Sequence, residues 1–249
     1  MKIAAWNLNH RAGSRFTRFF PEAAAAIGSL AVDVLVLTEY FPKDEDETFS
    51  KDRHETFLDD LDDCGFSYPM LSTLTGEKAN RVLIAAKQPF ELDPLPIPAF
   101  DQQLPANVLA VRFPSTGIRL LGLRIPYYTG KDLPRVLDAW AWLESAAEAL
   151  KGDQAVIVGD LNVELASHAQ RGGDHFRRLL AGWIRAKPSS GVGYYGKKGA
   201  RTEIDHALCS PSLQFTSAQY QTAFNDAVFA GTNAALSDHA VLMVEVVPA

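Results

Sequence analysis

Cysteine is scarce: Cys64 and Cys209 are the only two in 249 residues, far apart and without ligand-like spacing. Neither a disulfide framework nor a thiolate zinc site is suggested. No apolar run is long enough to span a bilayer, and the few apolar residues between Lys2 and Asn7 are too short for the core of a secretion signal. A cytoplasmic protein without membrane insertion is expected. Basic excess is also missing: 24 Lys and Arg face 30 Asp and Glu, a net charge of -6, which argues against a general polyanion-binding surface. Repeats, low-complexity stretches and linkers are absent too. With 47% hydrophobic residues the chain can build a substantial core, and one domain over residues 1–249 is expected, as a monomer with no protein partner indicated.

What the chain does have is a series of strand-length apolar stretches: KIAAW, VDVLVL, RVLIAA, NVLAVRF, IRLLGLRI, AVIVG, IDHALCS and AVLMVEVV. Most are rich in Val, Ile and Leu and bounded by Gly, Pro, Asn or Asp, the pattern of strands covered by other layers. Helical periodicity is clearest from Leu133 to Leu150, before Lys151-Gly152, and shorter helices are expected over about 15–30, 52–63 and 174–184. Helix-spaced strands near the start and directly joined strands in the middle predict an α/β fold, a mixed layered sandwich. The proline-rich segment 89–105 reads as a long surface loop. The acidic run 44–63 reads as a solvated face, whereas HRAGSRFTR, residues 10–18, carries three arginines and no acid.

The apolar stretches end in polar groups. AVIVGDLN closes on Asp160 and Asn162, two residues apart and so on one face of an extended chain. WNLN does the same with Asn7 and Asn9. VLVLTEY ends at Glu39, TEIDHALCS sets Asp205 inside an apolar strand, and LSDHAVL puts Asp238 and His239 at the mouth of the last one. Each has a plainer account on its own: Asx turns for the Asn and Asp pairs, a helix-terminal charge for Glu39, a satisfied core histidine for His239. Asp205 resists, because a buried carboxylate is costly without a partner. Together the plain accounts become strained.

Carboxylates without thiolates favour Mg²⁺ or Mn²⁺ over zinc, and magnesium held by few carboxylates relies on substrate phosphate to complete its shell. Asn7 and Asn162 add neutral polar groups, and His239 beside a carboxylate supplies a titratable one. Hydrolysis of a phosphate ester uses this set.

In order and approximate spacing, WNLN, VLVLTEY, NRVLIAAKQPF, VIVGDLNVE, TEIDHALCS and LSDHAVL resemble the endonuclease/exonuclease/phosphatase superfamily from residue 3 to about 246. The resemblance implies a four-layer αββα sandwich with two central mixed β-sheets and a site at one end. It implies Glu39 as the main metal carboxylate with Asn7 beside it and Asp238 completing the surroundings. Asp160 would position or deprotonate water, Asn162 would hold phosphate, and His239, oriented by Asp205, would stabilise the transition state or act as acid and base. Two positions depart from the pattern. Arg124 stands two before Pro126, where nuclease branches often carry Tyr or His, and a guanidinium is a poor proton donor although it binds phosphate. Asn9 stands where abasic-site endonucleases tend to have Asp.

A metal-dependent phosphodiesterase acting on nucleic acid, DNA in preference to RNA, is the leading expectation. Its supports are Arg11, Arg15 and Arg18 after the first motif, and GYYGKKGAR, where Tyr194 and Tyr195 interleave with Lys197, Lys198 and Arg201 as stacking surfaces beside phosphate neutralisers. Asn9 and Arg124 join them as candidate phosphate contacts. Rival expectations are a phosphomonoesterase or phospholipid-type hydrolase, favoured by the acidic charge, and a non-catalytic binding module that keeps the fold.

Overall fold

A computed structural model of the protein describes residues 1–9, 20–42, 48–73, 80–96, 104–196, 199–232 and 235–249. The first half of the chain forms β1 (Lys2–Asn7), α1 (Phe20–Gly28), β2 (Val34–Tyr40), α2 (Lys51–Asp63), β3 (Tyr68–Leu71), β4 (Arg81–Ala86), β5 (Glu91–Leu92), β6 (Val108–Arg112) and β7 (Arg119–Arg124). The second half forms α3 (Pro134–Leu150), β8 (Ala155–Asp160), α4 (Gly173–Leu180), β9 (Ile184–Arg185), β10 (Tyr194–Tyr195), β11 (Arg201–Thr202), β12 (Asp205–Cys209), β13 (Leu213–Gln221), β14 (Ala223–Phe224), β15 (Ala227–Val228) and β16 (Val241–Pro248).

Two six-stranded sheets carry the fold, ordered β13-β16-β1-β2-β4-β3 and β5-β6-β7-β8-β12-β9. Each holds one parallel pair, β1 with β2 and β7 with β8, among antiparallel neighbours. A parallel pair needs a crossover, and α3 supplies it between β7 and β8, as α1 does within the segment joining β1 and β2.

Strand alternation divides the apolar residues into three layers. Ile3, Ala5, Val34 and Val36 meet Leu120, Val156, Val158 and Ala207 between the sheets. Ala4, Trp6, Leu35 and Leu37 face α1 and α2 through Ala23, Ile27, Phe57 and Leu61. Leu121, Leu123, Ala155 and Ile157 face α3 and α4 through Trp140, Leu143 and Phe176. Helix, sheet, sheet, helix is the four-layer sandwich the resemblance implied, with both sheets mixed. Gly122 lies where the sheets press on one another: a Cβ there would meet Val36 Cγ1 at 2.8 Å.

Local expectations needed adjustment in three places. The helix expected over 174–184 ends at Leu180, since Gly182 breaks it and Ile184–Arg185 pair with β12. Part of the expected loop 89–105 pairs with β6 as the edge strand β5, residues 97–103 lying outside the described residues. Asp205 opens β12 rather than sitting inside it. Within the acidic run, α2 is capped by Ser50 and buries only Phe57 and Leu61. Among the described residues no helix is long and apolar enough to cross a membrane.

Candidate active site

The site continues the inter-sheet layer past the point where apolar side chains stop. Ile3 and Ala5 are followed on the same face of β1 by Asn7, Val156 and Val158 on β8 by Asp160, and Leu120 and Gly122 on β7 by Arg124. β12 runs antiparallel to β8 with Asp205 opposite Asp160, so the start of one strand meets the end of the other. Arg124 is level with Asp160 across the β7–β8 pair. One mouth of the layer thus collects polar residues from both sheets, outside the carboxyl ends of both parallel pairs, where open α/β sheets place ligands.

Two matching turns close β1 and β8. Asn7 Oδ1 accepts from the Asn9 N–H at 2.8 Å, and Asp160 Oδ1 from the Asn162 N–H at 2.9 Å. Both are Asx turns, and Asn9 and Asn162 take φ of 50° and 49°, a left-handed conformation that Asn tolerates better than most side chains. The intervening Leu8 and Leu161 are buried. Here the chain is not extended, so the i, i+2 argument yields the right neighbours for a different reason: the turn folds Asn162 back until its Nδ2 donates to Asp160 Oδ2 at 3.0 Å. Glu39 also has a positive φ, 50°, at the irregularity between Leu37 and Tyr40 in the pairing of β2 with β4.

These side chains form one bonded group. Asn7 Nδ2 donates to Asp160 Oδ2 at 2.8 Å and lies 3.4 Å from Glu39 Oε1. Arg124 Nε sits 2.7 Å from Glu39 Oε1 and 3.8 Å from Asp160 Oδ2. Asn162 Nδ2 also donates to the Ile125 carbonyl at 2.8 Å. On the other side of the mouth His239 Nδ1 is 2.8 Å from Asp205 Oδ2, which assigns the proton to Nδ1 and leaves Nε2, 3.8 Å from Asp238 Oδ1, toward the group's interior. The Asn9 side chain bonds the Asp238 carboxylate.

Burial pushes the Asp160 carboxyl up to about 7, with Asp205 and Glu39 adding to the rise and His239 and Arg124 opposing it. The three N–H donors from Asn7 and Asn162 favour its ionised form. Burial pulls His239 down, but the hydrogen-bonded Asp205 and the charges of Asp160 and Asp238 outweigh it and hold the imidazole up to about 9. Burial also raises Asp238, against the pull of His239.

Tyr194 and Tyr195 belong to a hairpin, β10 with β11. Tyr194 bridges to His239, with ring centroids 4.9 Å apart, and the Tyr195 N–H donates to the Asp238 carbonyl at 2.8 Å. Arg201 lies 5.9 Å from the Tyr195 ring. Arg11, Arg15, Arg18, Lys197 and Lys198 fall outside the described residues.

Sequence reasoning passed over the supports. Ser237 Oγ donates to the Asn7 carbonyl at 2.7 Å and accepts from the His239 N–H at 3.1 Å. Trp6 Nε1 donates to the His239 carbonyl at 2.9 Å, and Tyr220 OH to the Asp205 carbonyl at 2.6 Å. Ser237 stood directly before Asp238-His239 and was open to notice; Tyr220 comes from a strand of the other sheet with no motif around it. Tyr127, close in sequence to Arg124, lies at the rim. It is 56% exposed, and the Arg171 guanidinium lies 4.2 Å from its ring.

Among the described residues no group of three or more His, Cys, Asp and Glu is placed to hold a metal ion by itself. A magnesium-type ion does not require one, since it takes one or two carboxylates and fills its shell with water and phosphate. Glu39 at the mouth fits that demand, with Asn7 beside it turning its Nδ2 rather than its Oδ1 toward the Glu39 carboxylate. So does Asp238, whose buried Oδ1 has no hydrogen-bond partner.

The model of the Endonuclease/Exonuclease/phosphatase family matches residues 4–239. Solved structures align over nearly the whole chain. A 3′ phosphatase, NExo, from Neisseria bound to product DNA hairpin is 19% identical, TM-score 0.69, covering 98% of this chain and 98% of that one. An AP endonuclease from Archaeoglobus fulgidus is 18% identical, TM-score 0.67, covering 98% of each. Truncated Caenorhabditis elegans TDP2 is 14% identical, TM-score 0.68, covering 100% of this chain and 97% of that one. Among curated proteins, none matches.

Proposed function

The chain belongs to the Endonuclease/Exonuclease/phosphatase family, and from that premise we propose a divalent-metal-dependent phosphodiesterase that hydrolyses nucleic-acid phosphodiester bonds, DNA foremost. The observation that carries this reading is the convergence of Asn7, Glu39, Asp160, Asn162, Asp205 and His239 at one mouth of the inter-sheet layer. The DNA preference draws on the neighbour bound to a DNA hairpin and on the β-hairpin that sets Tyr194 against His239, with Tyr195 and Arg201 next to it.

Glu39 and Asp238, with Asn7 beside Glu39, would hold Mg²⁺ or Mn²⁺, which when bound supplies Lewis acidity at a phosphoryl oxygen. Asp160 is the base. A carboxylate offers about four acceptor positions, three of them are taken by Asn7 and Asn162, and the remaining one accepts a proton from the attacking water. Asn162 also orients Asp160 and presents its amide to phosphate. His239, protonated and fixed by Asp205, aims Nε2–H at the oxygen where charge develops, an electrostatic role that needs no rearrangement during the reaction. Arg124 cannot give up its proton at ordinary pH and so stabilises phosphate charge rather than protonating a leaving group.

Nicking of supercoiled plasmid by the purified protein with Mg²⁺ or Mn²⁺ tests this directly. Nicking that chelator and Asp160→Asn both abolish is the expected result. Hydrolysis of aryl phosphomonoesters without any nicking would replace the nuclease with a phosphomonoesterase. Loss of folding in Asp160→Asn would make that residue structural.

A further inference from the structure

We propose that Arg124 is the resident counter-cation of the site, which a divalent metal displaces from Glu39 and which then turns to the substrate phosphate. The inference rests on the metal-dependent reading above and specifies how the site is loaded.

Four carboxylates, Glu39, Asp160, Asp205 and Asp238, gather at the mouth. His239 answers Asp205 at 2.8 Å; on the Glu39 side the cation is Arg124. It reaches this place by strand register, as the last inward-facing residue of β7, level with Asp160. Its side chain is 16% exposed and that of Glu39 13%, so the charges meet where water screens them weakly.

The pairing is close without being locked. Arg124 Nε is 2.7 Å from Glu39 Oε1, yet this buried N–H has no aligned hydrogen-bond acceptor among the described residues. The other arginine of the same strand shows the contrast. Arg119 grips both oxygens of Asp93 through Nε and Nη2, at 2.5 and 2.9 Å, and reaches Asp153 through Nη1 at 2.7 Å. That fork is the geometry of a permanent structural pair. Arg124 balances charge without a comparable directional bond, so what a cation arriving at Glu39 must overcome is the charge attraction alone. The guanidinium stays charged and leaves only by moving. A phosphate in the mouth offers the guanidinium fork two oxygens at once, whereas Glu39 as placed meets it through Oε1 alone. Metal and phosphate then assist each other, because each takes one partner of the same ion pair.

Calorimetric titration of Mn²⁺ into the full-length, metal-free protein at mildly alkaline pH, without substrate, reads the displacement. Arg124→Gln should bind Mn²⁺ roughly tenfold more tightly than wild type, the scale of one weakly screened competing charge removed from beside Glu39. Equal affinities in two folded proteins would overturn the proposal and leave the hydrolase reading intact. Failure of both proteins to bind at millimolar Mn²⁺ would overturn the two together. Should Arg124→Gln not fold, nuclear magnetic resonance of the wild type decides. The arginine Nε–H signal that is lost in Arg124→Lys should shift as Mg²⁺ is added, and an unmoved signal at saturating metal contradicts the displacement.

Discussion

His239 keeps its proton well above the ordinary imidazole range because Asp205 is bonded to Nδ1 and two further carboxylates face it. A sequence reading places its titration near the reference value of 6.5; the structure moves it to about 9. With Asp160 accepting and His239 donating, turnover should rise with pH as Asp160 ionises and fall as His239 loses its proton, a bell whose limbs a bound divalent cation moves below the metal-free values of about 7 and about 9. A flat profile with chemistry rate-limiting would remove both from the reaction. Stability of the metal-free protein follows the same groups. Asp160 rises from 3.8 to about 7 and His239 from 6.5 to about 9 on folding, so across these windows the folded chain holds more protons than the unfolded one. Stability is therefore greatest at the acid end of each window and declines as pH rises. Thermal unfolding in chelator should show Tm falling over this range, with Asp160→Asn flattening the lower part and His239→Ala the upper. His239→Ala should also cut turnover by roughly 10²–10⁴-fold with unchanged circular dichroism.

At the level of elements, the site depends on how two strands stop. Gly159 has φ of 144°, and a Cβ there would lie 2.0 Å from the Leu123 carbonyl oxygen on the neighbouring strand. Only glycine allows β8 to lie against β7 in this conformation. Gly159→Ala should cost about 1–3 kcal/mol for the backbone alone, more with the clash, in urea unfolding. Gly152→Ala, with nothing within 4 Å of the added Cβ, should stay within about 0.5 kcal/mol. Much of this was legible in the residues: apolar alternation through Val156 and Val158 points straight at Asp160, and the same counting from Ile3 and Ala5 reaches Asn7. The fold class followed from the same runs. Counting fails at Asn9 and Asn162, where the left-handed turn takes over from strand geometry. The pairing of Arg124 with Glu39 was not legible either, because it needs the register of β7 on β8 and the approach of the opposite sheet, both set by tertiary packing. The expected helix fails at Ile184 for a similar reason, since the pairing partner of Ile184, Cys209, lies far along the chain.

Across the whole molecule, each sheet contributes a parallel pair whose carboxyl ends meet over the inter-sheet core: Asn7 and Glu39 from one, Arg124 and Asp160 from the other. The packed layers hold Asn7, Glu39 and Asp160 before any substrate arrives, which is what electrostatic stabilisation of a transition state requires. The net charge of -6 means that polyanion binding must come from local cations near the mouth. For a DNA substrate KM should climb steeply with added salt, while for a small aryl phosphate it should barely move; equal salt responses would argue against a polyanionic substrate. The central claim is that residues from both sheets act as one unit in one step. The most direct measurement is kcat/KM for Asp160→Asn, His239→Ala and the double variant on one substrate. A double variant no worse than the poorer single variant is the predicted result, as for groups that serve the same step; losses that multiply would mean Asp160 and His239 act independently and would contradict the account.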